Sequence, residues 1–255
     1  MHNSDWVTSN DIPTYREDKL YLFRVDLTEM FNRPDSLFTS FLTANEVERC
    51  SKFRFHKDRV RYRVGRYAIR RLLNQNEAVG EKVKEFQFND YGKPRVSDQS
   101  NIKFNLSHSG KYLLIGIGRH HEVGVDTEIY NETIDHLDLA RSVFSQQERT
   151  ALELLSDGER IHAFYRCWSM KESFIKAVGR GLQLPLDQFS VDLTISQSDN
   201  QLLSVPWKPQ LMNELKTNIV YIDAGYSAAY TCHQSIEEVH HIDISASLLD
   251  SNSNL

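Results

Sequence analysis

The chain has 255 residues, of which 40% are hydrophobic and 25% charged, and its net charge is −5. That length can bury one large core or two modest ones, and the slight acidic balance argues against a general nucleic-acid-binding role. No apolar run reaches membrane-spanning length, and the N-terminus lacks a basic-plus-apolar leader. Cys50, Cys167 and Cys232 are scattered without a Cys-x-x-Cys pair, so the expectation is a soluble cytoplasmic protein with reduced thiols and no membrane partner.

In chain order, residues 1–18 are polar and read in part as a flexible arm, and residues 19–27 read as the first strand. Helices follow over residues 43–55 and 58–76. The second carries Arg59, Arg61, Arg63, Arg66, Arg70 and Arg71. Such a face is usually solvated, but a multiply phosphorylated ligand would give some of these guanidinium forks a partner. A strand near residues 86–89 leads into Tyr91, Gly92, Lys93 and Pro94, a turn signal with one cation.

From Lys103 onward Phe104 and Leu106 share one strand face, while Asn105 and Ser107 share the other. The segment is expected to end in a turn of Ser107, His108, Ser109 and Gly110, followed by an apolar strand over residues 112–118. A Ser and a His at a strand end can donate hydrogen bonds to a phosphate. Neighbours in an extended chain face apart, so Ser107 and His108 do not read as a nucleophile and its base. Arg119, His120 and His121 then lead into residues 122–129, which alternate apolar and polar. Asp126 and Glu128 fall on one face, repel each other and suit a strand poorly. A hard divalent cation is one natural counter-charge, and a solvated strand end is the competing account.

Helices are expected at residues 134–144 and 145–155, the latter opened by a Ser145 to Glu148 capping box. In the next helix Phe164, Cys167, Trp168, Phe174, Ile175 and Val178 form one apolar face. Glu172 and Lys176 are neighbours one turn apart, which alone suggests a surface ion pair, and Gly179 and Gly181 supply the stop. Strands are expected at residues 189–195, 202–205, 219–222 and 226–232, with a polar tail from 245. The paired histidines His120-His121 and His240-His241 read as surface loops.

Four of these segments together resemble the Sfp-type 4'-phosphopantetheinyl transferases. They are Tyr91 to Pro94, Phe104 to Ser109 (Phe-Asn-x-Ser-His-Ser), Val123 to Glu128 (Gly-x-Asp-x-Glu) and Trp168 to Leu182 (Trp-x-x-Lys-Glu-x-x-x-Lys, then Gly-x-Gly-Leu). The resemblance spans residues 20–230. It implies an α/β (α+β) fold of two similar subdomains related by a pseudo-twofold, each a small sheet packed with helices, with the active site in the cleft between them. The subdomains would be residues 1–120, on the nucleotide side, and 121–255, carrying the metal and catalytic motifs. A chain of this length would carry both halves and act as a monomer.

The implied reaction is attack by a serine of an apo acyl or peptidyl carrier protein on the β-phosphate of coenzyme A. Phosphopantetheine is transferred and adenosine 3',5'-bisphosphate leaves. On this pattern Asp126, Glu128 and Glu172 hold Mg2+, or Mn2+. Lys176 neutralises a phosphate oxygen, and Ser107 and His108 contact the coenzyme A phosphates. Lys93 and Pro94 line the nucleotide end, and Arg61, Arg49 and Lys52 reach the 3'-phosphate. Glu172, or a metal-bound water beside it, is the base. Thr127, between the two acids, points away from the metal. Two other readings stand beside this one: a non-catalytic module binding coenzyme A or a nucleotide, and a Mg2+-dependent phosphohydrolase using the same acids.

Overall fold

The computed structural model describes residues 6–9, 11–34, 36, 38–76, 79, 80, 82–194 and 200–244. The first half contains β1 (Val7–Ser9), β2 (Lys19–Asp26), α1 (Ala44–Ser51), α2 (His56–Asn74), the short pair β3 (Gln87–Phe88) and β4 (Pro94–Arg95), then β5 (Ile102–Ser109) and β6 (Tyr112–Arg119). The second half contains β7 (Gly124–Ile129), α3 (His136–Val143), α4 (Gln146–Glu153), α5 (Asp157–Val178), β8 (Ser190–Val191), β9 (Leu202–Ser204), α6 (Leu211–Glu214), β10 (Leu215–Ile219), β11 (Tyr226–His233) and β12 (Glu238–Ile244). The fold is mixed α/β. The largest sheet has five strands in the order β1-β12-β2-β6-β5, a second has three in the order β10-β11-β7, and β3-β4 and β8-β9 form two further two-stranded pairs.

Strand alternation builds the layers. Tyr21, Phe23 and Val25 of β2, with Leu113, Ile115 and Ile117 of β6, join Val64, Tyr67 and Ile69 of α2 in one core. Leu20, Leu22 and Leu114, on the opposite face, meet Val123, Val125, Ala228 and Tyr230 of the second sheet. Both faces of β6 are therefore covered, which is why it reads as an unbroken apolar run. Gly116 and Gly118 make room: a Cβ on Gly116 would stand 2.7 Å from Val125, and one on Gly118 would stand 2.9 Å from Val123. The far side of the second sheet packs on α5 in a core with Phe164, Phe174 and Phe189.

Helix α5 is anchored at its middle. Lys171 is fully buried, lies 2.9 Å from Glu148, and donates to the carbonyls of Leu186 and Phe189. Glu148 also completes the expected capping box with Ser145 and accepts from the Val191 amide. Gly179 takes the expected left-handed C-cap conformation, with φ 74°.

Within residues 1–18, read only in part as an arm, β1 pairs in parallel with β12 and Tyr15 is fully buried, details the polar composition did not give. Several expectations are corrected. Ser107, His108 and Ser109 belong to β5, and the turn begins only at Gly110. His240 and His241 lie in a strand, β12, not in a loop. That strand pairs with β2, so the last described element sits in the first sheet. The strand expected at 219–222 lies earlier, at Leu215–Ile219. The one expected at 189–195 is confined to Ser190–Val191, and Ile195 falls outside the described residues, as does the tail from 245. The arginines of α2 are not a solvated face: Arg63, Arg66, Arg70 and Arg71 are buried, and Arg70 donates to Glu46 at 2.7 Å.

Candidate active site

The two sheets meet edge to edge at β5 and β7. These strands share no backbone ladder among the described residues, because β5 pairs only with β6 and β7 only with β11. Side chains make the connection. Asn105, Ser107 and Ser109 lie on one face of β5, two residues apart. Asn105 Oδ1 accepts from the Val125 amide at 2.9 Å. Ser107 Oγ donates to Asp126 Oδ1 at 2.9 Å, and Ser109 Oγ donates to Glu128 Oε2 at 2.9 Å. The polar face of β5 is thus a template that holds the acidic strand in register. Thr127 faces the other way and is fully buried.

Helix α5 supplies the third wall. Gly124 permits its approach, since a Cβ there would stand 1.9 Å from the Ser173 carbonyl oxygen. Ser173 in turn bonds Thr231 on β11 at 2.9 Å. This contact sets Lys176 over the acidic strand, where Nζ lies 2.6 Å from Asp126 Oδ1 and 3.0 Å from Ser107 Oγ. The surface pair between Glu172 and Lys176 does not form within salt-bridge distance. Lys176 crosses to β7 instead, to a carboxylate that is 2% exposed.

The carboxylates crowd one another. Burial, then the charge of Asp126, pushes the Glu128 carboxyl up to about 7, with Glu172 adding a smaller push. Burial raises the Glu172 carboxyl too, with Lys176 opposing and Asp126 reinforcing the shift. Asp126 Oδ2 is buried with no hydrogen-bond partner. Three hard oxygen donors under mutual repulsion, one carrying an orphaned buried oxygen, suit Mg2+ in chemistry. They are not gathered into a ready-made centre: among the described residues no three His, Cys, Asp or Glu side chains stand as a metal-holding group. The cation beside Asp126 is the Lys176 ammonium.

The expected coenzyme A residues divide into three sets. Ser107, His108, Arg61 and Lys176 come together. Packing around the His108 ring, then the Arg61 charge and more weakly that of Lys176, holds its imidazole below the usual range, although the side chain keeps an open surface. Arg61 pairs with Asp58 at 2.8 Å and donates to the Gly110 carbonyl at 2.7 Å. Lys93 is committed elsewhere. Its ammonium meets Glu122 and the Val123 and Ala177 carbonyls, tying the Tyr91 to Pro94 turn to the end of α5. Burial lowers its pKa. Pro94 lies beside it, paired with Phe88. Arg49 and Lys52 stand on the surface at α1, Arg49 over the Tyr62 ring and Lys52 paired with Glu48. Sequence reasoning gave no role to Asn105, Ser109 or Gly124. The period-two polar face of β5 was the available signal for the first two.

The mixed α/β chain thus carries two carboxylates on an edge strand, a third on a helix and a lysine ammonium against the first of them. The family described as the 4'-phosphopantetheinyl transferase superfamily matches residues 122–231, and that described as 4'-phosphopantetheinyl transferase, N-terminal, matches residues 34–118. The 4'-phosphopantetheinyl transferase Sfp of Bacillus subtilis is 35% identical over 61% of this chain and 68% of its own length. The transferase ffp, also from Bacillus subtilis, is 36% identical over 69% of this chain and 76% of its own. A solved ACPS–CoA complex from Chronobacterium ammoniagenes aligns with 20% identity and a TM-score of 0.33, covering 44% of this chain and 97% of its own. The chain belongs to the Sfp-type 4'-phosphopantetheinyl transferase family.

Proposed function

We propose that the β5–β7–α5 seam is where this enzyme moves the 4'-phosphopantetheine group from coenzyme A to a serine of an apo carrier protein, releasing adenosine 3',5'-bisphosphate. The observation that carries the placement is the junction of Ser107, Asp126 and Lys176, with Glu128 and Glu172 electrostatically coupled to it. A pyrophosphate needs positive charge as its bridging bond breaks, and a serine needs a proton acceptor. Lys176 supplies fixed positive charge once an anion competes with Asp126 for its ammonium. Glu172 takes no hydrogen bond among the described residues, and burial has made it a better base. It accepts the serine proton. His108 and Arg61 grip the nucleotide-side phosphates. Mg2+, with Mn2+ as the alternative, would be held by Asp126, Glu128 and Glu172 and would supply charge to the pyrophosphate. Lys93 and Pro94 shape the wall of the site by bracing the end of α5.

Residues 1–120 and 121–255 form the two working halves of this proposal, with β12 returning to the first. The enzyme works as a monomer in a reducing cytoplasm, a setting supported by three free, buried cysteines. Incubation with coenzyme A, Mg2+ and a panel of apo carrier domains tests the reading. The expected result is a carrier mass increase of one phosphopantetheine. Hydrolysis of coenzyme A without transfer would favour a phosphohydrolase, and binding alone would favour a silent module.

A further inference from the structure

We propose that Ser109 is a positioning residue that sets the carboxylate of Glu128 for a divalent cation. This inference rests on the metal reading above. Ser109 Oγ donates to Glu128 Oε2 at 2.9 Å and accepts from the Ile129 amide at 3.1 Å. A hydroxyl has one proton and two lone pairs, so it makes both bonds at once. The first fixes the carboxylate, and the second fixes the backbone just beyond it. Glu128 sits near the end of β7, where Ile129 is already exposed, so the strand alone gives its side chain little restraint.

The neighbouring pair shows the same construction. Ser107 Oγ takes Asp126 Oδ1 and leaves Oδ2 without a partner. Ser109 takes Glu128 Oε2, and Oε1 has no hydrogen bond among the described residues. Two serines, two residues apart on β5, thus each occupy one oxygen of two acids, two residues apart on β7, and leave the other oxygen for a ligand. A hydroxyl behind a ligating carboxylate restricts its rotation before the cation arrives, and losing such a partner typically weakens metal affinity by about 10-fold or more.

The test is calorimetric titration of the full chain with Mn2+ and Mg2+, beside steady-state transfer. Ser109→Ala should weaken cation binding about 10-fold and lower kcat at limiting cation, while the KM for coenzyme A holds. Ser109→Thr keeps the hydroxyl and should restore both. Ser109→Cys, close in size but a weak donor, should behave like alanine and guards against a folding artefact in that variant. Wild-type cation affinity in folded Ser109→Ala or Ser109→Cys overturns the inference. A wild-type chain that transfers phosphopantetheine but binds no divalent cation overturns the metal reading, and this inference with it.

Discussion

Ser107 Oγ donates to Asp126 Oδ1 at 2.9 Å, one of the side-chain bonds that join the edge strand of the five-stranded sheet to the edge strand of the three-stranded sheet. It also sits under Lys176, whose ammonium reaches both residues. The acidic site and the interface between the sheets are therefore one structure. Substitutions there change stability and chemistry together, and the measurements below separate the two.

Glu128 stores electrostatic strain. Its folded-state carboxyl lies at about 7 against an ordinary 4.5, so the native state holds a proton that the unfolded chain releases. The associated stability is fully present below about pH 4.5 and is lost as pH rises through 7. Glu128→Gln removes that loss. The shift corresponds to roughly 3 kcal/mol, and partial exposure reduces the expected gain to about 1–2 kcal/mol at pH 8. Thermal melts of the ligand-free protein should show the variant above wild type at pH 8, with the gap closing near pH 4.5. A gap independent of pH would contradict a Glu128 carboxyl raised by burial and by the neighbouring Asp126 charge.

Gly124 is a packing requirement. A methyl group there meets the Ser173 carbonyl oxygen at 1.9 Å and the Ala177 amide nitrogen at 2.5 Å, both backbone atoms that cannot rotate away. Gly124→Ala should cost about 3 kcal/mol or more and move α5 off β7. Urea denaturation and the transfer assay should fall together. A stable, fully active Gly124→Ala would show that the close approach of α5 does not set Lys176.

Packing around the His108 ring, reinforced by the Arg61 charge and more weakly by that of Lys176, disfavours its charged form. An anionic ligand reverses that balance, so coenzyme A affinity should strengthen as pH falls toward the usual imidazole range. Calorimetry between about pH 5.5 and 8 should show this slope in wild type and lose most of it in His108→Ala. Unchanged coenzyme A affinity with impaired carrier binding would place the cofactor on the wrong side of the seam.

Much of this arrangement was legible in the residues. Alternation placed Asp126 and Glu128 on one face, helical spacing placed Glu172 and Lys176 on one helix, and glycines and a capping box marked helix ends. What was not legible came from contacts distant in sequence. β12 pairs with β2 across most of the chain, and its Glu-Val-His-His-Ile-Asp-Ile sequence carries too many charged and ring side chains to announce a strand. Lys176 looked like the partner of Glu172 because helical spacing is local, whereas its true partner lies on β7. Lys93 looked free for a ligand because nothing local shows that Glu122 and two carbonyls surround it. The arginines of α2 looked solvated until α1 placed Glu46 among them.

Asp126→Asn tests the central claim most directly. It keeps shape and an acceptor for Ser107, and it removes the charge that Lys176 faces and that the proposed cation requires. Intact-protein mass measurement of an apo carrier, incubated with coenzyme A, Mg2+ and the folded variant, gives the answer. The account predicts a transfer rate at least ~100-fold below wild type, the scale of one lost electrostatic contact to the transition state, with circular dichroism unchanged. Near-wild-type transfer by a folded Asp126→Asn would contradict it.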